Sequence, residues 1–233
     1  MQNNILTVRN VDKTYRRGVH EVKVLEKVNF HLSQGEFVSL MGPSGSGKTT
    51  LLNIVGGLDS PSAGSVIMDG TDIATLGDGD LSSWRNANIG FVFQQYNLIQ
   101  VLTAYENVEM PLMLFNLSKD ERRRRVLTAL QIVGLKERAN HFPRQMSGGE
   151  EQRTAIARAL VTDPKLIIAD EPTGNLDAAA AANVLDLLQA LNAEFKKTIL
   201  MVTHDPEAAL RAHRQMRLHK GALVLDPAQG ARA

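Results

Sequence analysis

The feature that most constrains this chain is a glycine-rich stretch around residue 45. Residues 42–50 read Gly-Pro-Ser-Gly-Ser-Gly-Lys-Thr-Thr, which matches the G-x-x-x-x-G-K-[ST] pattern of phosphate-binding loops. The apolar run Glu36–Met41 before the loop predicts a buried strand, and Thr50–Val55 after it predicts a helix that ends at Gly56-Gly57. In that setting the loop N–H groups fold inward at the positive end of a helix dipole. A chance glycine-rich turn would lack these flanks, so the sequence predicts a nucleoside triphosphate site.

Two side chains of this loop have expected roles of their own. Lys48 would reach the β- and γ-phosphates, and the Thr49 hydroxyl would ligate Mg²⁺. The other predicted nucleotide-binding residues of the loop are Gly42, Pro43, Ser44, Gly45, Ser46, Gly47 and Thr50.

Length and composition limit the alternatives. The 233 residues suit one domain, or one domain with an inserted subdomain, and the net charge of +1 does not indicate electrostatic binding to nucleic acid or an anionic membrane. The absence of cysteine excludes disulfides and thiolate metal sites and agrees with a reducing cytosol. We find neither a signal peptide pattern at Met1–Asn4 nor an apolar run of the ~18 residues that span a bilayer. We therefore expect any membrane role to come through a partner.

The N-terminal part alternates as strands do. Residues 5–12 and 20–33 predict two strands of a small antiparallel sheet, and Ser65–Met68 predicts another strand between turns. Tyr15 follows the first predicted strand. It could stack on adenine or simply fill a strand end.

Three apolar strands end in polar side chains. Ile89–Phe93 ends at Gln94, Lys165–Ala169 ends at Asp170 and Glu171, and Thr198–Thr203 ends at His204. The carboxyl ends of core strands are where α/β sheets place ligands. Asp170 would hold Mg²⁺ through water, and Glu171 would polarise the attacking water. Gln94 could instead begin a solvated loop, and His204 could be structural or sense the γ-phosphate.

Residues 97–160 have a helical pattern. Leu102–Phe115 predicts a helix interrupted by Pro111, and Ser118 resembles the start of a capping box. The helix after Ser118 carries Arg122–Arg125, which we interpret as a solvated face rather than a nucleic-acid patch, and Gly134 ends it.

A second glycine motif lies at residues 147–149. Ser147, Gly148 and Gly149 precede a helix, so they form either an N-cap or a second anion site. Asp177 begins an alanine-rich helix that runs to about Asn192.

Taken together, the chain resembles the ATP-binding subunit of an ABC transporter over residues 5 to about 225. Seven elements follow the family order: the aromatic Tyr15, the Walker A loop 42–50, the Q-loop Gln94, the signature 147–149, the Walker B pair Asp170-Glu171, the D-loop Gly174–Asp177, and the switch His204.

The resemblance implies an α/β fold. It implies a P-loop NTPase (RecA-like) core at about 1–95 and 160–225, with an N-terminal antiparallel β subdomain. An inserted α-helical signature subdomain is expected at about 96–159, and a loose tail at 226–233.

The resemblance also implies a homodimer that binds ATP and Mg²⁺. Each ATP would lie between one Walker A loop and the Ser147, Gly148 and Gly149 of the other copy, with Tyr15 on adenine and Asp177 nearby. The implied catalytic residues are Glu171, His204, Lys48 and Gln94, and the implied metal ligands are Thr49, Gln94 and Asp170.

Several stretches look most like the lipoprotein-release and macrolide-export (LolD/MacB-type) branch. They are Gly56–Asp59, Ile89–Gln94, Thr103–Pro111 and Ala169–Asp177. That resemblance implies membrane permease subunits docked near Gln94–Pro111 and a peripheral position on the cytoplasmic face of the inner membrane. Some systems of this branch add periplasmic and outer-membrane components. Nucleic acid is not expected as a partner, and the substrate is not encoded in any pattern of this chain.

The signature departs from the family pattern in three places. Met146 stands for Leu, Glu150 for Gln and Thr154 for Val. Because a carboxylate would repel a triphosphate, we expect Glu150 to point towards its own helix or a partner.

Two other functional classes compete with a transporter subunit. A soluble ABC ATPase acting on ribosomes or DNA would usually have two cassettes or long coiled coils, and this chain shows one cassette and no heptad run. A nucleotide switch with little turnover is disfavoured by the presence of Glu171 and His204.

Overall fold

A computed structural model describes residues 4–18 and 20–224. The strands are β1 Asn4–Arg17, β2 His20–Ser33, β3 Phe37–Met41, β4 Ala63–Met68, β5 Thr71–Asp72, β6 Ile89–Val92, β7 Leu166–Asp170, β8 Thr198–Val202, β9 Arg214–His219 and β10 Ala222–Val224. The α-helices are α1 Lys48–Val55, α2 Asp78–Asn88, α3 Ala104–Glu109, α4 Lys119–Ile132, α5 Gly148–Leu160, α6 Ala178–Ala193 and α7 Pro206–Ala209. The predicted tail 226–233 lies outside the described residues.

The two sheets match the predicted fold class. A four-stranded sheet has the order β2-β1-β4-β5 with antiparallel pairing, and a six-stranded sheet has the order β10-β9-β3-β8-β7-β6. Within the larger sheet only the β9–β10 pair is antiparallel. The predicted antiparallel N-terminal sheet and parallel P-loop core are therefore confirmed.

The central strands of the six-stranded sheet carry apolar side chains on both faces, because other elements of the fold pack on each face. On β3, Val38 and Leu40 pack with α1 and the antiparallel sheet, whereas Phe37 packs with the helices α3–α6. The same alternation divides β8 between the two clusters. This packing fixes the register of β3, and with it the position of the loop that follows.

The helical segment follows its sequence signals. Helix α3 ends at Glu109, before Pro111, and a 3₁₀ turn, Met110–Leu114, continues the chain, which confirms the predicted break. Gly134, at φ +71°, ends α4 with bonds from its own N–H to Gln131 and from Leu135 N–H to Leu130. In the described part of the chain, no helix is long and apolar enough to cross a membrane.

Three arginines of the run on α4 form ion pairs. Arg122 is largely buried and contacts Glu109 at 3.2 Å, while Arg124 and Arg125 pair with Glu121. Arg122 thus ties α4 to α3. Arg124, with 75% of its side chain exposed, agrees with the solvated face that we expected.

Candidate active site

A cavity of about 560 Å³ opens at the carboxyl end of the six-stranded sheet. Its lining residues come from the loop after β3, the ends of β6 and β7, and the end of β8: Val24, Ser44, Gly45, Gly47, Lys48, Thr49, Thr50, Gln94, Asp170, Glu171, Val202 and His204. The three strand ends that we singled out from the sequence therefore meet the phosphate-binding loop in one place.

The loop between β3 and α1 is shaped by its glycines. Gly47 caps α1 at φ +101°, a conformation that L side chains rarely adopt, and a Cβ there would lie 2.9 Å from the Val24 carbonyl oxygen. Gly42 has its own constraint, because a Cβ would lie 2.2 Å from the Leu218 carbonyl oxygen. The loop can take this course only with glycine at both positions.

We expect Gly42→Ala to destabilise the fold by about 2 kcal/mol, because backbone of β9 has to move. The thermal unfolding midpoint measures this loss. Gly79→Ala is the matched control, since Gly79 lies in α2 and a Cβ added there would meet nothing within 4 Å. That change should leave the midpoint unchanged or raise it slightly. Equal midpoints for the two variants would contradict the packing of Gly42.

Lys48 stands at the first position of α1 and lines the cavity. Its ammonium group donates to the carbonyl oxygens of Gly42, at 2.8 Å, and Pro43, at 3.0 Å. These bonds hold the cation over the mouth of the loop, beside the N-terminus of α1. The loop amides, the helix dipole and the ammonium group together form a set of donors that suits a triphosphate.

Asp170 ends β7 inside the cavity. Burial, and the neighbouring charge of Glu171, raise the pKa of the Asp170 carboxyl, while Lys48 and a hydrogen bond with Thr49 oppose that shift. When both carboxyl groups are ionised, they repel each other in this partly buried place unless a nearby cation compensates their charge.

The donor set around Asp170 fits Mg²⁺ in particular. Among residues 4–18 and 20–224, no three His, Asp or Glu side chains are grouped as a metal site would require. The Thr49 hydroxyl, the Gln94 amide and the single Asp170 carboxylate nevertheless line one cavity. Mg²⁺ usually takes one or two carboxylates and completes its shell with substrate phosphates and water, so this set suits it.

Glu171 and His204 form a pair across two strand ends. The Glu171 carboxylate lies 2.9 Å from His204 Nδ1 and accepts the His204 backbone N–H at 3.3 Å. Glu171 itself has φ +49°, an uncommon conformation for a residue with a Cβ. Its backbone N–H donates to the Val202 carbonyl oxygen at 2.9 Å, which ties this turn to β8. The carboxylate is thus held at the cavity by the end of β8.

Gln94 is held by a residue that the sequence reasoning missed. Gln94 Nε2 donates to Asn175 Oδ1 at 3.2 Å, and Asn175 Nδ2 donates to the Gln94 carbonyl oxygen at 3.0 Å. A Cβ on Gly174 would lie 2.7 Å from Gln94 Nε2, so glycine makes room for this contact. Gly174 and Asn175 lie within the stretch Gly174–Asp177 that resembles the D-loop, but only Asp177 of that stretch was predicted as a site residue. Asn175 fixes the amide that faces the cavity.

The position of Tyr15 differs from the prediction. Tyr15 lies within β1, which continues to Arg17, rather than after the first strand. The longer β1–β2 hairpin extends the strand, and Tyr15 pairs with Val22 across it. The Tyr15 hydroxyl donates to Asp59 at 2.6 Å and also contacts Thr50, so the ring lies beside the start of α1.

The motif at 147–149 lies apart from this cavity. None of the described residues that line the cavity comes from 147–149. Ser147 caps α5 by accepting the Glu150 N–H at 3.3 Å, and Glu150 accepts the Ser147 N–H at 2.9 Å. Gly149 packs closely on α6, because a Cβ added there would lie 3.2 Å from Ala180 Cβ. In a single chain, these residues do not join the Walker A site.

Glu150 points back towards its own helix, as expected. Besides Ser147, its carboxylate contacts Arg138 at 3.2 Å. The hydrogen bond from the Ser147 N–H, helped by Arg138, lowers the pKa of Glu150, which outweighs the opposite effect of burial. The negative charge is thus compensated within the chain.

Asp177 has a similar local bond, since it caps α6 by accepting the Ala180 N–H at 2.8 Å.

The fold and this cavity define a P-loop ATPase of the α/β class. Residues 25–174 match the family model described as ABC transporter. The chain belongs to the ABC transporter ATP-binding family, and it is an ATPase.

Three known proteins illustrate the similarity. The lipoprotein-releasing system ATP-binding protein LolD of Chromohalobacter salexigens is 46% identical over 95% of this chain and 96% of its own length. The macrolide export ATP-binding/permease protein MacB 1/2 of Paracoccus denitrificans is 47% identical over 98% of this chain and 34% of its own length. These relatives confirm the expected resemblance to the LolD/MacB branch.

The third is the ATP-binding cassette MJ0796 of Methanocaldococcus jannaschii, in a dimeric post-hydrolysis structure bound to ADP and Pi. It is 46% identical, with a TM-score of 0.86 over 94% of this chain and 97% of that chain.

Proposed function

We propose that two copies of this chain close head to tail on two ATP molecules and open again after hydrolysis. The observation that carries this proposal is the separation, in one chain, of the triphosphate cavity from Ser147. A second copy facing the first would bring its helix α5 N-terminus, with free N–H donors and the positive dipole end, to the open side of the cavity. The dimeric structure of MJ0796 supports this arrangement.

Hydrolysis in this site depends on position and charge rather than on a covalent intermediate. Lys48 and the loop amides would neutralise the phosphates, so that negative charge developing on the γ-phosphate is stabilised. The Glu171 carboxylate would orient the attacking water and take its proton. His204, 2.9 Å from that carboxylate, would keep it in place and support the γ-phosphate. Gln94 would reach the same site from the end of β6.

We propose Thr49, Gln94 and Asp170 as the protein residues that hold Mg²⁺, directly or through water. When bound, Mg²⁺ would supply positive charge that offsets the charge of the phosphates and of the paired carboxylates of Asp170 and Glu171. This assignment is supported by the position of the three side chains, which line one cavity. It also agrees with the burial of Asp170 beside Glu171, which raises the pKa of its carboxyl.

We propose that a membrane permease subunit docks on a groove of about 380 Å³ that lies beside the Q-loop. The groove is lined by residues of α2, β6, the 3₁₀ turn and α5, including Leu58, Asn86, Phe93, Pro111, Leu114 and Arg158. Leu114, which lines the groove, is 76% exposed. Met113, next to it in the 3₁₀ turn, is 61% exposed, and Val101, in the segment between the Q-loop and α3, is 79% exposed. Exposed apolar side chains grouped at a groove are typical of an interface.

The groove is also linked to the ATP site. Arg158 is largely buried and donates to the carbonyl oxygens of Tyr96, at 2.7 Å, and Asn97, at 2.5 Å. Both residues have positive φ and follow Gln94 by two and three positions. A partner pressing on this segment would act on Gln94 through two or three backbone units.

Division of the chain into a core and a helical subdomain at 96–159 remains our proposal.

Within this function, the similarity to LolD and MacB favours lipoprotein release or macrolide-type efflux, or mechanical work on a partner across the membrane. Periplasmic and outer-membrane components and a place on the cytoplasmic face of the inner membrane belong to the same proposal.

The test is purification of the chain from membranes in mild detergent, with identification of what stays bound. A few-span subunit with a large periplasmic domain would support this branch. A ribosome or DNA instead of a membrane protein would overturn the transporter role.

We expect Leu114→Asp to remove most of the stimulation of ATP turnover by the membrane partner, because it places a charge in an apolar contact. ATP affinity should stay unchanged. The measurement is turnover of the purified chain with and without the partner in detergent. Val224→Asp is the control, since Val224 is also an exposed apolar residue, 50% exposed, but lies on β10 away from the groove. Full stimulation of the Leu114 variant would contradict the docking site.

A further inference from the structure

The Gly56–Asp59 stretch ends in a side chain that binds the aromatic residue of β1. Asp59 Oδ2 accepts the Tyr15 hydroxyl at 2.6 Å, and Asp59 Oδ1 accepts the Lys13 ammonium group at 2.6 Å. The Ser60 N–H also donates to Oδ1, at 2.7 Å. Both carboxylate oxygens are therefore bonded, and Asp59 cannot turn without breaking at least two charge-assisted contacts.

Lys13 completes this cluster from the other side. It is 9% exposed, it donates to the Ser60 carbonyl oxygen at 2.7 Å, and its Nζ lies 4.7 Å from the centre of the Tyr15 ring. A buried lysine needs a charge partner, which Asp59 supplies. The ammonium group covers one face of the ring in a cation–π contact. Tyr15 as a whole is 42% exposed. Because Lys13 covers one face of its ring, the opposite face is the one available to a base.

This arrangement fixes the ring in two independent ways. The hydroxyl is tied to Asp59, which sets the direction of the ring axis, and Lys13 behind the ring sets its tilt. A ring that is already ordered loses less side-chain entropy when a ligand stacks on it. The cation also draws negative potential away from the open face, which reduces repulsion from the π-cloud of a stacked base.

We propose that Asp59 and Lys13 are positioning residues that hold Tyr15 for stacking on the base of the nucleotide. They act on recognition of the base and not on the phosphates, which are bound by the loop at 42–50. This inference rests on the proposed ATP site and on the contact of Tyr15 with adenine that the family resemblance implies. It gives Gly56–Asp59, one of the stretches shared with the LolD/MacB branch, a physical role.

The test compares two ligands that differ only in having a base. Binding of Mg-ATP and of Mg-tripolyphosphate is measured by titration calorimetry for wild type and Asp59→Asn. We expect ATP to bind up to about tenfold more weakly in the variant, the size of an aromatic stacking contact, with tripolyphosphate unchanged. In turnover assays, KM for ATP should rise while kcat stays constant, because Glu171 and Lys48 are untouched.

Two further variants separate positioning from folding and from the proposed adenine contact. Lys13→Met/Asp59→Leu replaces the buried ion pair by apolar residues, so it removes the tie without leaving a charge unpaired. It should show the same selective loss of ATP binding. In a Tyr15→Ala background, Asp59→Asn should cause no additional loss, because its effect passes through the ring.

The outcomes that overturn the inference differ from those that overturn the adenine contact. If Asp59→Asn weakens ATP and tripolyphosphate equally, or has its full effect without Tyr15, Asp59 acts on the loop and the inference fails while the adenine contact stands. If Tyr15→Ala binds ATP as tightly as wild type, the adenine contact fails and the inference fails with it.

Discussion

Glu171→Gln is expected to lower ATP turnover by roughly 10²–10⁴-fold, the usual contribution of a general base. The amide keeps the shape of the carboxylate but cannot take the proton of the attacking water. Lys48, Thr49 and the loop amides remain, so ATP should bind as in wild type. Phosphate release and nucleotide titration measure the two quantities separately.

Glu194→Gln is the control for this loss. Glu194 follows α6 and is exposed, and the same chemical change there should leave turnover at the wild-type rate. Turnover near the wild-type rate in the Glu171 variant would show that another group activates the water, and the pairing of Glu171 with His204 would then be structural only.

Ser147→Arg is the second change with a large expected effect. It places a long side chain where the other copy's triphosphate would approach, and it disturbs donors that we propose complete the site in trans. We expect turnover to fall about a hundredfold or more, as when one donor to a developing charge is lost. Each chain should still bind ATP through its own Walker A loop, which nucleotide titration would show.

The matched control for Ser147→Arg is Ser118→Arg. Both serines cap a helix by accepting a backbone N–H three residues on, so both variants lose a cap worth about 1 kcal/mol. Ser118 lies at the start of α4, and its loss should lower the unfolding midpoint without a comparable fall in turnover. An equal fall in turnover for the two variants would mean that the effect of Ser147→Arg comes from helix stability.

The sequence predicted well what depends on local pattern. Apolar runs that end in polar residues located β6, β7 and β8, and the parallel sheet then brings Gln94, Asp170 and His204 to one cavity. Helix α2 was not predicted, because none of its residues is fully buried and only Leu81 and Trp84, both half-buried, pack on the core, which is a weak periodic signal. Helix α2 is instead started by its acidic first turn, Asp78 and Asp80, which complements the dipole.

Contacts between distant residues could not be read from local pattern. Tyr15 and Asp59 are 44 positions apart, and Gln94 and Asn175 are 81 apart. Tyr15 meets Asp59 because the antiparallel sheet packs on α1 and the loop after it. Gln94 meets Asn175 because they follow the neighbouring parallel strands β6 and β7. Glu150 shows the reverse case: the spacing Ser147-x-x-Glu150 is that of a capping box, and the structure forms it within one turn of helix.

The most direct test of the composite site is the molecular mass of the Glu171→Gln chain in solution, measured by light scattering with and without Mg-ATP. We predict a monomer without nucleotide and a stable dimer with ATP, because bound ATP joins the two copies and cannot be hydrolysed. Adding Ser147→Arg to the same chain should abolish the dimer, whereas adding Ser118→Arg should leave it intact. A chain that binds ATP and stays monomeric, or a dimer that is indifferent to Ser147, would contradict the composite site.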